Sequence, residues 1–239
     1  MLPASCWQPG PRGKKEAKVH PPRAILWDWD NTLIDAWAGI AAALNVVLAA
    51  YGKPPWTVDE ARARIRGSVR DTFPDMFGPD WHRAAELLRE SMQASHLDHL
   101  HLMPGTEEVL AAAAPWPLAV VSNKEGGILR REVAHLGWSA RFGAVVGAGD
   151  ATADKPHAAP IWHALARIGV NPGMDVWYVG DTGSDMQAAH AAGCTAVLVG
   201  DAAHDGGIAR LEETGAAPHL HCQDGLALAS RLRGFTLGE

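Results

Sequence analysis

The sequence predicts an α/β fold, a doubly wound parallel sheet carrying an inserted helical domain. From residue 117 onward, short apolar runs alternate with stretches of helical periodicity, a pattern typical of strand–helix–strand units joined by right-handed crossovers. Residues 37–102, in contrast, show helical spacing of apolar residues and no convincing strand. The 239 residues, of which 47% are hydrophobic, suffice for a sizeable core domain with a smaller insertion.

The N-terminal part of the chain predicts a tail, a strand and three helical stretches in turn. Residues 1–22 are rich in proline, glycine and basic residues without apolar periodicity, so we expect a disordered tail. The run Ala24–Asp28 is the first strand. A long amphipathic helix from residue 37 ends near Gly52, and Thr57 with Glu60 three residues later predicts a capping box for the next helix. A break at 74–79 precedes a helix over 81–97.

The remaining chain predicts the rest of the sheet and the helices that cover it. The strands are expected at 118–121, 144–146, 176–179, 196–199 and 218–221, and the helices at 106–114, 125–137, 157–168, 184–192, 205–214 and 224–232. We therefore expect three regions: a tail (1–22), a core domain (23–36 with 103–239) and a helical cap domain (37–102).

Composition excludes several function classes. A net charge of −6 and a pI near 6.0 give no global argument for nucleic acid or an anionic membrane as a partner. The three cysteines (Cys6, Cys194 and Cys222) are odd in number and irregularly spaced, so we expect a reducing compartment and no disulfide framework. The N-terminus lacks the apolar segment of a secretory signal, which favours the cytoplasm. A monomer and a homodimer both remain open.

Two carboxylates follow the first strand directly. Asp28 and Asp30 are two residues apart, and their mutual repulsion is tolerable if a divalent cation lies between them or if one carries a proton. The alternative is an acidic strand end exposed to water.

Three further polar clusters follow later strands. Ser122 and Asn123 come after the second strand of the core and could bind an anion at a helix N-terminus or simply cap the helix. Lys155 lies just before a helix, where the helix dipole disfavours a positive charge unless an anion is opposite. Asp181 and Asp185 suit the oxygen-ligand preference of Mg²⁺ or, alternatively, cap their helix.

All four clusters are predicted at one edge of the sheet. In a doubly wound sheet, ligands collect at the carboxyl ends of the strands. Four carboxylates, a hydroxyl and a lysine at that edge suit phosphoryl transfer, because a metal and the lysine balance phosphate charge while a carboxylate attacks.

These motifs resemble those of the haloacid dehalogenase superfamily. The resemblance is carried by the segments Asp28-Trp29-Asp30-Asn31-Thr32, Ser122-Asn123, Lys155-Pro156 and Gly180-Asp181-Thr182-Gly183-Ser184-Asp185. The helical insertion after the first segment resembles the cap of the phosphoglycolate phosphatase-like branch. The resemblance covers residues 24 to about 200 and implies a Mg²⁺-dependent phosphomonoester hydrolase acting through an aspartyl-phosphate.

The resemblance also implies a role for each motif residue. Asp28 is the expected nucleophile, Asp30 the general acid and then base, and Thr32 the residue that positions Asp30. Ser122, Asn123 and Lys155 are the expected phosphate ligands, with Lys155 also steadying the nucleophile. The metal ligands are expected from Asp28, Asp30 (through its main-chain carbonyl), Asp181 and Asp185.

The insertion offers candidates for substrate specificity. Arg66 and Arg70 could bind a second anionic group of a small phosphorylated metabolite, with phosphoglycolate the first expectation and a sugar phosphate the second. Arginines on a solvated helix face are the alternative. A phosphosugar mutase of the same branch and a catalytically silent binding protein on the same fold are the alternative functions.

Overall fold

The computed structural model describes residues 6–7, 19–65 and 69–236, apart from the side chains of residues 6, 7, 70, 71 and 204. The chain divides into two compact units, Met1–Ile34 with Leu102–Glu239, and Asp35–His101. Most of the predicted N-terminal tail lies outside the described residues. Its residues Cys6–Trp7 form a short strand.

The first unit holds a seven-stranded sheet, which confirms the predicted fold class. Every pair of neighbouring strands is parallel except β1 with β9, and the order is β1-β9-β8-β7-β2-β5-β6. The strands of the chain, including β3 and β4, which pair separately, are β1 (Cys6–Trp7), β2 (Ala24–Trp27), β3 (Ile34–Asp35), β4 (His101–Leu102), β5 (Leu118–Glu125), β6 (Ala144–Ala148), β7 (Val176–Gly180), β8 (Thr195–Val199) and β9 (Leu220–Cys222).

The helices follow the predicted pattern with two differences, and one unexpected strand lies among them. They are α1 (Trp37–Ala50), α2 (Val58–Arg64), α3 (Val69–Phe77), α4 (Trp81–Ser95), α5 (Thr106–Ala113), α6 (Gly126–His135), α7 (Ala159–Ile168), α8 (Gly183–Ala192), α9 (Ile208–Glu213) and α10 (Gly225–Thr236). Helix α3 contains Pro74, where we expected a break. Helix α9 is shorter than predicted because a 3-10 turn, Ala203–Asp205, precedes it. Strand β4 lies inside the block in which no strand was expected.

The central strands bring the polar clusters to one edge of the sheet. Strand β2 lies between β5 and β7, with Trp27 in register with both Val120 and Val179. All residues of β2 and β7 are buried, because helices cover both faces of the parallel sheet. Because the three strands are parallel, the residues that follow β2 and β7 meet those in the second half of β5 at the carboxyl edge.

The helical unit has its own apolar core. Leu44 and Leu48 of α1 pack in one cluster with Phe73 and Phe77 of α3, whose ring centroids are 4.9 Å apart. The predicted capping box of α2 is confirmed, since Thr57 and Glu60 each bind the backbone N–H of the other.

Two further findings bear on the expectations from composition. No helix among the described residues is long and apolar enough to cross a membrane. Cys194 is a buried free thiol, whereas Cys222 is disulfide-bonded, a bond that the expectation of no disulfide framework did not include. No sequence pattern predicted the strand β1, which pairs with β9 and places Cys6 opposite Cys222.

Candidate active site

Three aspartates from two strand ends lie together at the carboxyl edge. Asp28 follows β2, where its backbone N–H donates to Val179 O at 2.8 Å. Asp181 follows β7, and Asp185 lies in the first turn of α8. One carboxylate oxygen from each residue lies within 4.8 Å of those from the other two, and all three side chains are buried. The fold therefore brings three of the four predicted carboxylates into one cluster.

Lys155 joins two of these aspartates. Its Nζ is 2.6 Å from Asp28 Oδ1 and 2.6 Å from Asp185 Oδ1, and its side chain is only 4% exposed. The backbone of Lys155 is held from β5: its N–H donates to Asn123 Oδ1, and Asn123 Nδ2 donates to its carbonyl, both at 3.0 Å. The Asn123 amide that we expected on the substrate thus positions Lys155, and a direct substrate contact from Asn123 stays a prediction.

Asp185 organises the cluster through both of its oxygens. Oδ1 accepts from Lys155 and, at 3.2 Å, from the Tyr178 hydroxyl. Oδ2 accepts from the backbone N–H groups of Asp181 and Thr182 at 3.2 and 3.0 Å, and from Thr182 Oγ1 at 2.7 Å. Because Asp185 and Thr182 form a capping box, the local sequence that starts α8 also fixes this carboxylate.

The close approach of Asp185 to the end of β7 depends on a glycine. A Cβ at Gly180 would lie 2.4 Å from Asp185 Cγ and 2.5 Å from its Oδ2, which is closer than any real contact. The glycine before Asp181 therefore leaves room for the carboxylate that holds the cluster.

The other predicted catalytic residues lie in the same unit, with partners that differ in part from expectation. Thr32 Oγ1 donates to Asp181 Oδ1 at 3.3 Å, although we expected it to position Asp30. Asp30 instead forms an ion pair with Lys124, whose Nζ is 2.7 Å from its Oδ1. Ser122 is buried, and its Oγ accepts from the Lys124 N–H at 3.2 Å.

Burial and crowding of like charges dominate the electrostatics. Burial, followed by the charge of Asp185, raises the pKa of Asp28 to about 7 despite the opposing effect of Lys155. Burial and then the neighbouring carboxylates of Asp185 and Asp28 likewise raise the pKa of Asp181 well above its usual range. Burial lowers the pKa of Lys155, but Asp185 and Asp28 outweigh it and hold that pKa well above its usual value. Lys155 is therefore a permanent cation in this site.

The donor set fits a divalent metal ion. When ionised, the three carboxylates exceed the single ammonium of Lys155 by two charges, and burial together with this crowding of negative charge raises the pKa values of Asp28 and Asp181. Oxygen-only ligands are those that Mg²⁺ prefers. Since both oxygens of Asp185 already accept hydrogen bonds, Asp28 and Asp181 have more ligand capacity left than Asp185.

Sequence reasoning missed three residues of this site. Lys124 follows the predicted Ser122-Asn123 pair directly, and Tyr178 is the one hydroxyl in an otherwise apolar β7. Glu132 binds Lys124 from α6, where it is a lone acid on the buried face beside Leu129 and Val133. A charged residue at an apolar helix position was the available signal for Glu132. Of the predicted specificity residues, Arg66 lies outside the described residues, as does the side chain of Arg70.

Comparisons with known proteins agree with this geometry. Residues 25–199 match the family of haloacid dehalogenase-like hydrolases, a span that contains all the motifs above. The chain belongs to the haloacid dehalogenase-like hydrolase family. The family predicted from the sequence is thereby confirmed.

Two similar proteins with curated functions are phosphatases. A phosphoglycolate phosphatase from Xylella fastidiosa is 35% identical over 189 residues, which cover 74% of this chain and 80% of the relative. A phosphoglycolate phosphatase from Chromobacterium violaceum is 28% identical over 189 residues, covering 74% of this chain and 85% of the relative. The predicted enzyme class, a phosphatase, is confirmed.

Solved structures show the same fold. A haloacid dehalogenase-like hydrolase from Streptococcus pneumoniae superposes with a TM-score of 0.72 at 21% identity, covering 88% of this chain and 98% of the other. At that identity the likeness is one of fold.

Proposed function

We propose that this phosphatase hydrolyses a small phosphorylated metabolite through an aspartyl-phosphate on Asp28 and that it requires Mg²⁺. The observation that carries the proposal is the contact of Lys155 Nζ with both Asp28 and Asp185, beside the carboxylate of Asp181. A buried carboxylate next to a fixed cation is suited to attack phosphorus, because the cation offsets repulsion between the nucleophile and the phosphate.

In the first half-reaction, an Asp28 oxygen attacks phosphorus and the bond from phosphorus to the leaving oxygen breaks. Lys155 keeps the attacking carboxylate in place and balances negative charge on the phosphoryl group. Asp30 donates a proton to the departing alkoxide, which leaves as an alcohol. Ser122 and Lys155 are the proposed ligands of the phosphoryl oxygens, and Asn123 acts at least through Lys155.

In the second half-reaction, water attacks the phosphorus of the aspartyl-phosphate. Asp30, now ionised, accepts a proton from that water, and the bond from phosphorus to the Asp28 oxygen breaks. Inorganic phosphate leaves and the Asp28 carboxylate is restored. Thr32 holds Asp181 in place during both steps.

Mg²⁺ is the proposed metal, held by Asp28, the main-chain carbonyl of Asp30, Asp181 and, directly or through water, Asp185. When bound, it supplies positive charge that offsets the developing charge on the phosphoryl oxygens. The uncompensated carboxylates described above support this assignment.

Phosphoglycolate is the proposed substrate, by analogy with the curated relatives. Arg66 and Arg70, in the helical cap domain proposed for residues 37–102, are the proposed contacts for its carboxylate. A monomeric or homodimeric state and a cytoplasmic location remain predictions of the sequence.

The test is phosphate release from phosphoglycolate and from p-nitrophenyl phosphate, with Mg²⁺ and with a chelator. We expect release by the wild type with Mg²⁺ only, and a loss of at least about a thousandfold in Asp28→Asn, since the amide cannot act as the nucleophile. Asp59→Asn, an exposed aspartate on α2, is the matched control and should keep full activity. Hexose 1-phosphate isomerised without phosphate release would instead favour a mutase. Full activity in Asp28→Asn would exclude Asp28 as the nucleophile.

A further inference from the structure

Asp30, the proposed acid and base, lies at the partly exposed end of a chain of polar contacts that leads into the interior. Lys124 Nζ is 2.7 Å from Asp30 Oδ1 and 2.7 Å from Glu132 Oε2. The Nε1–H of Trp29 donates to the same Glu132 oxygen at 2.6 Å. The four residues come from the end of β2, the end of β5 and the buried face of α6.

This chain of contacts is expensive to bury. The side chain of Glu132 is 1% exposed, that of Lys124 is 16% exposed, and Trp29 is fully buried. Replacing a buried ion pair with apolar residues of similar volume is often neutral or stabilising, so stability alone does not account for it. Of the three side chains, Lys124 contacts the Asp30 carboxylate directly, and Trp29 and Glu132 act on it through Lys124, so the chain of contacts ends at Asp30 and indicates a role there.

We propose that Lys124 is a positioning residue that sets the orientation of the Asp30 carboxylate, with Glu132 and Trp29 fixing the ammonium of Lys124. The inference rests on the proposed function, in which Asp30 moves the protons. An aspartate side chain has two free torsions, and a partner at one oxygen restricts both. The other oxygen is then presented in a fixed direction for proton transfer, and small errors of geometry in such a step cost rate.

Further contacts hold Lys124 and Trp29, the residues at the two ends of the support for Asp30, in place. Lys124 lies where β5 shifts its register between Val121 and Glu125, which redirects the chain toward the edge. Its backbone N–H is held by Ser122 Oγ, and its ammonium is held by Glu132. On the far side, the ring of Trp29 packs edge-on against Trp138, with ring centroids 5.9 Å apart. Removing any one of these contacts should therefore make the orientation of the Asp30 carboxylate less well defined.

The test compares kcat/KM for two leaving groups. Departure of p-nitrophenolate needs no proton, whereas the alkoxide of an alkyl phosphate such as phosphoglycolate does, and kcat/KM reports the step in which the leaving group departs. For Lys124→Met we expect kcat/KM to fall about 10- to 100-fold with the alkyl phosphate and less than about threefold with p-nitrophenyl phosphate. Lys124→Arg should recover most of the loss, and Trp29→Phe should show a smaller loss of the same kind.

Controls separate this role from folding and from the proposed function. Lys124→Met removes the cation beside the buried carboxylate of Glu132, so the variant Lys124→Met, Glu132→Gln is made in parallel. The double variant removes both charges and keeps an acceptor for Trp29. Lys53→Met, an exposed lysine, should change neither substrate. Equal losses with both substrates, or no loss with the alkyl phosphate, would overturn the positioning role while the Asp28→Asn result stands. Undiminished turnover in Asp28→Asn would overturn the proposed function itself, and this inference with it.

Discussion

The glycine before Asp181 offers a sharp test of how the acidic cluster is held. In Gly180→Ala the new Cβ would lie 2.4 Å from Asp185 Cγ and 2.5 Å from Asp185 Cβ. Asp185 cannot swing aside freely, because its two oxygens accept five hydrogen bonds, from Lys155, Tyr178, Asp181 and Thr182. The substitution must therefore displace the carboxylate or the strand.

The expected loss in the free energy of unfolding is the sum of two effects of the added methyl group. Overpacking of a well-packed interior costs about 1–3 kcal/mol, and weakening one charge-assisted hydrogen bond of Asp185 adds about 1–2 kcal/mol. A total near 3 kcal/mol lowers the melting temperature of a chain of this size by roughly 6–12 °C. Because Lys155 contacts both Asp185 and Asp28, a displacement of Asp185 should also disturb Asp28, and turnover should fall as well.

The assay is thermal unfolding together with phosphate release. Gly234→Ala is the matched control, because nothing lies within 4 Å of its added Cβ and it sits in α10, where alanine is favoured by about 0.5–1 kcal/mol. We expect that variant to melt at or slightly above the wild-type temperature. A Gly180→Ala protein that melts within about 2 °C of the wild type and keeps its turnover would refute the rigid placement of Asp185.

Three further predictions concern Lys155, the metal and the half-buried His219. Lys155→Met removes the cation that contacts two buried carboxylates, so the free energy of unfolding in urea should fall by about 3–5 kcal/mol. An unchanged midpoint of urea unfolding would contradict the ion pairs. At a concentration 100-fold above its Kd, Mg²⁺ should raise the free energy of unfolding of the wild type by about 2.7 kcal/mol. In Asp181→Asn most of this stabilisation should be lost. Equal stabilisation of both proteins would exclude Asp181 as a ligand. Burial and His190 lower the pKa of His219 to about 4, from 6.5. Between pH 6.5 and pH 4 the histidine binds a proton in the unfolded chain but not in the folded one. The free energy of unfolding of the wild type therefore falls as the pH drops through this range, by about 1–2 kcal/mol after screening. An equal fall in His219→Gln would contradict this prediction.

The sequence was sufficient for the parts of the fold that depend on local pattern. Apolar runs predicted the central strands because buried parallel strands are apolar throughout, and Thr57 with Glu60 predicted a helix start because both partners of a capping box lie within four residues. Helix α3 was not predicted, because a proline such as Pro74 normally indicates a break in a helix. In the structure the packing of Phe73 and Phe77 outweighs that local preference. The strand β1 escaped because two residues carry no periodicity.

The acidic cluster was predictable for a similar reason. Parallel strands bring their carboxyl ends to one edge, so the motif order alone places Asp28 near Asp181. The contacts between side chains were not predictable. Thr32 bonds to Asp181, and Asn123 to the backbone of Lys155, and both contacts join residues that are far apart in the sequence. Glu132 was hidden because its partner Lys124 lies on a different element.

The measurement that tests the account most directly is chemical capture of the phosphorylated enzyme. Enzyme mixed with phosphoglycolate and Mg²⁺ is acid-quenched within one turnover and treated with sodium borohydride, which reduces an aspartyl-phosphate to homoserine. Peptide mass spectrometry should then find homoserine at position 28, and only in the presence of substrate. Homoserine at another aspartate, or none while phosphate is released at the full rate, would contradict the role of Asp28.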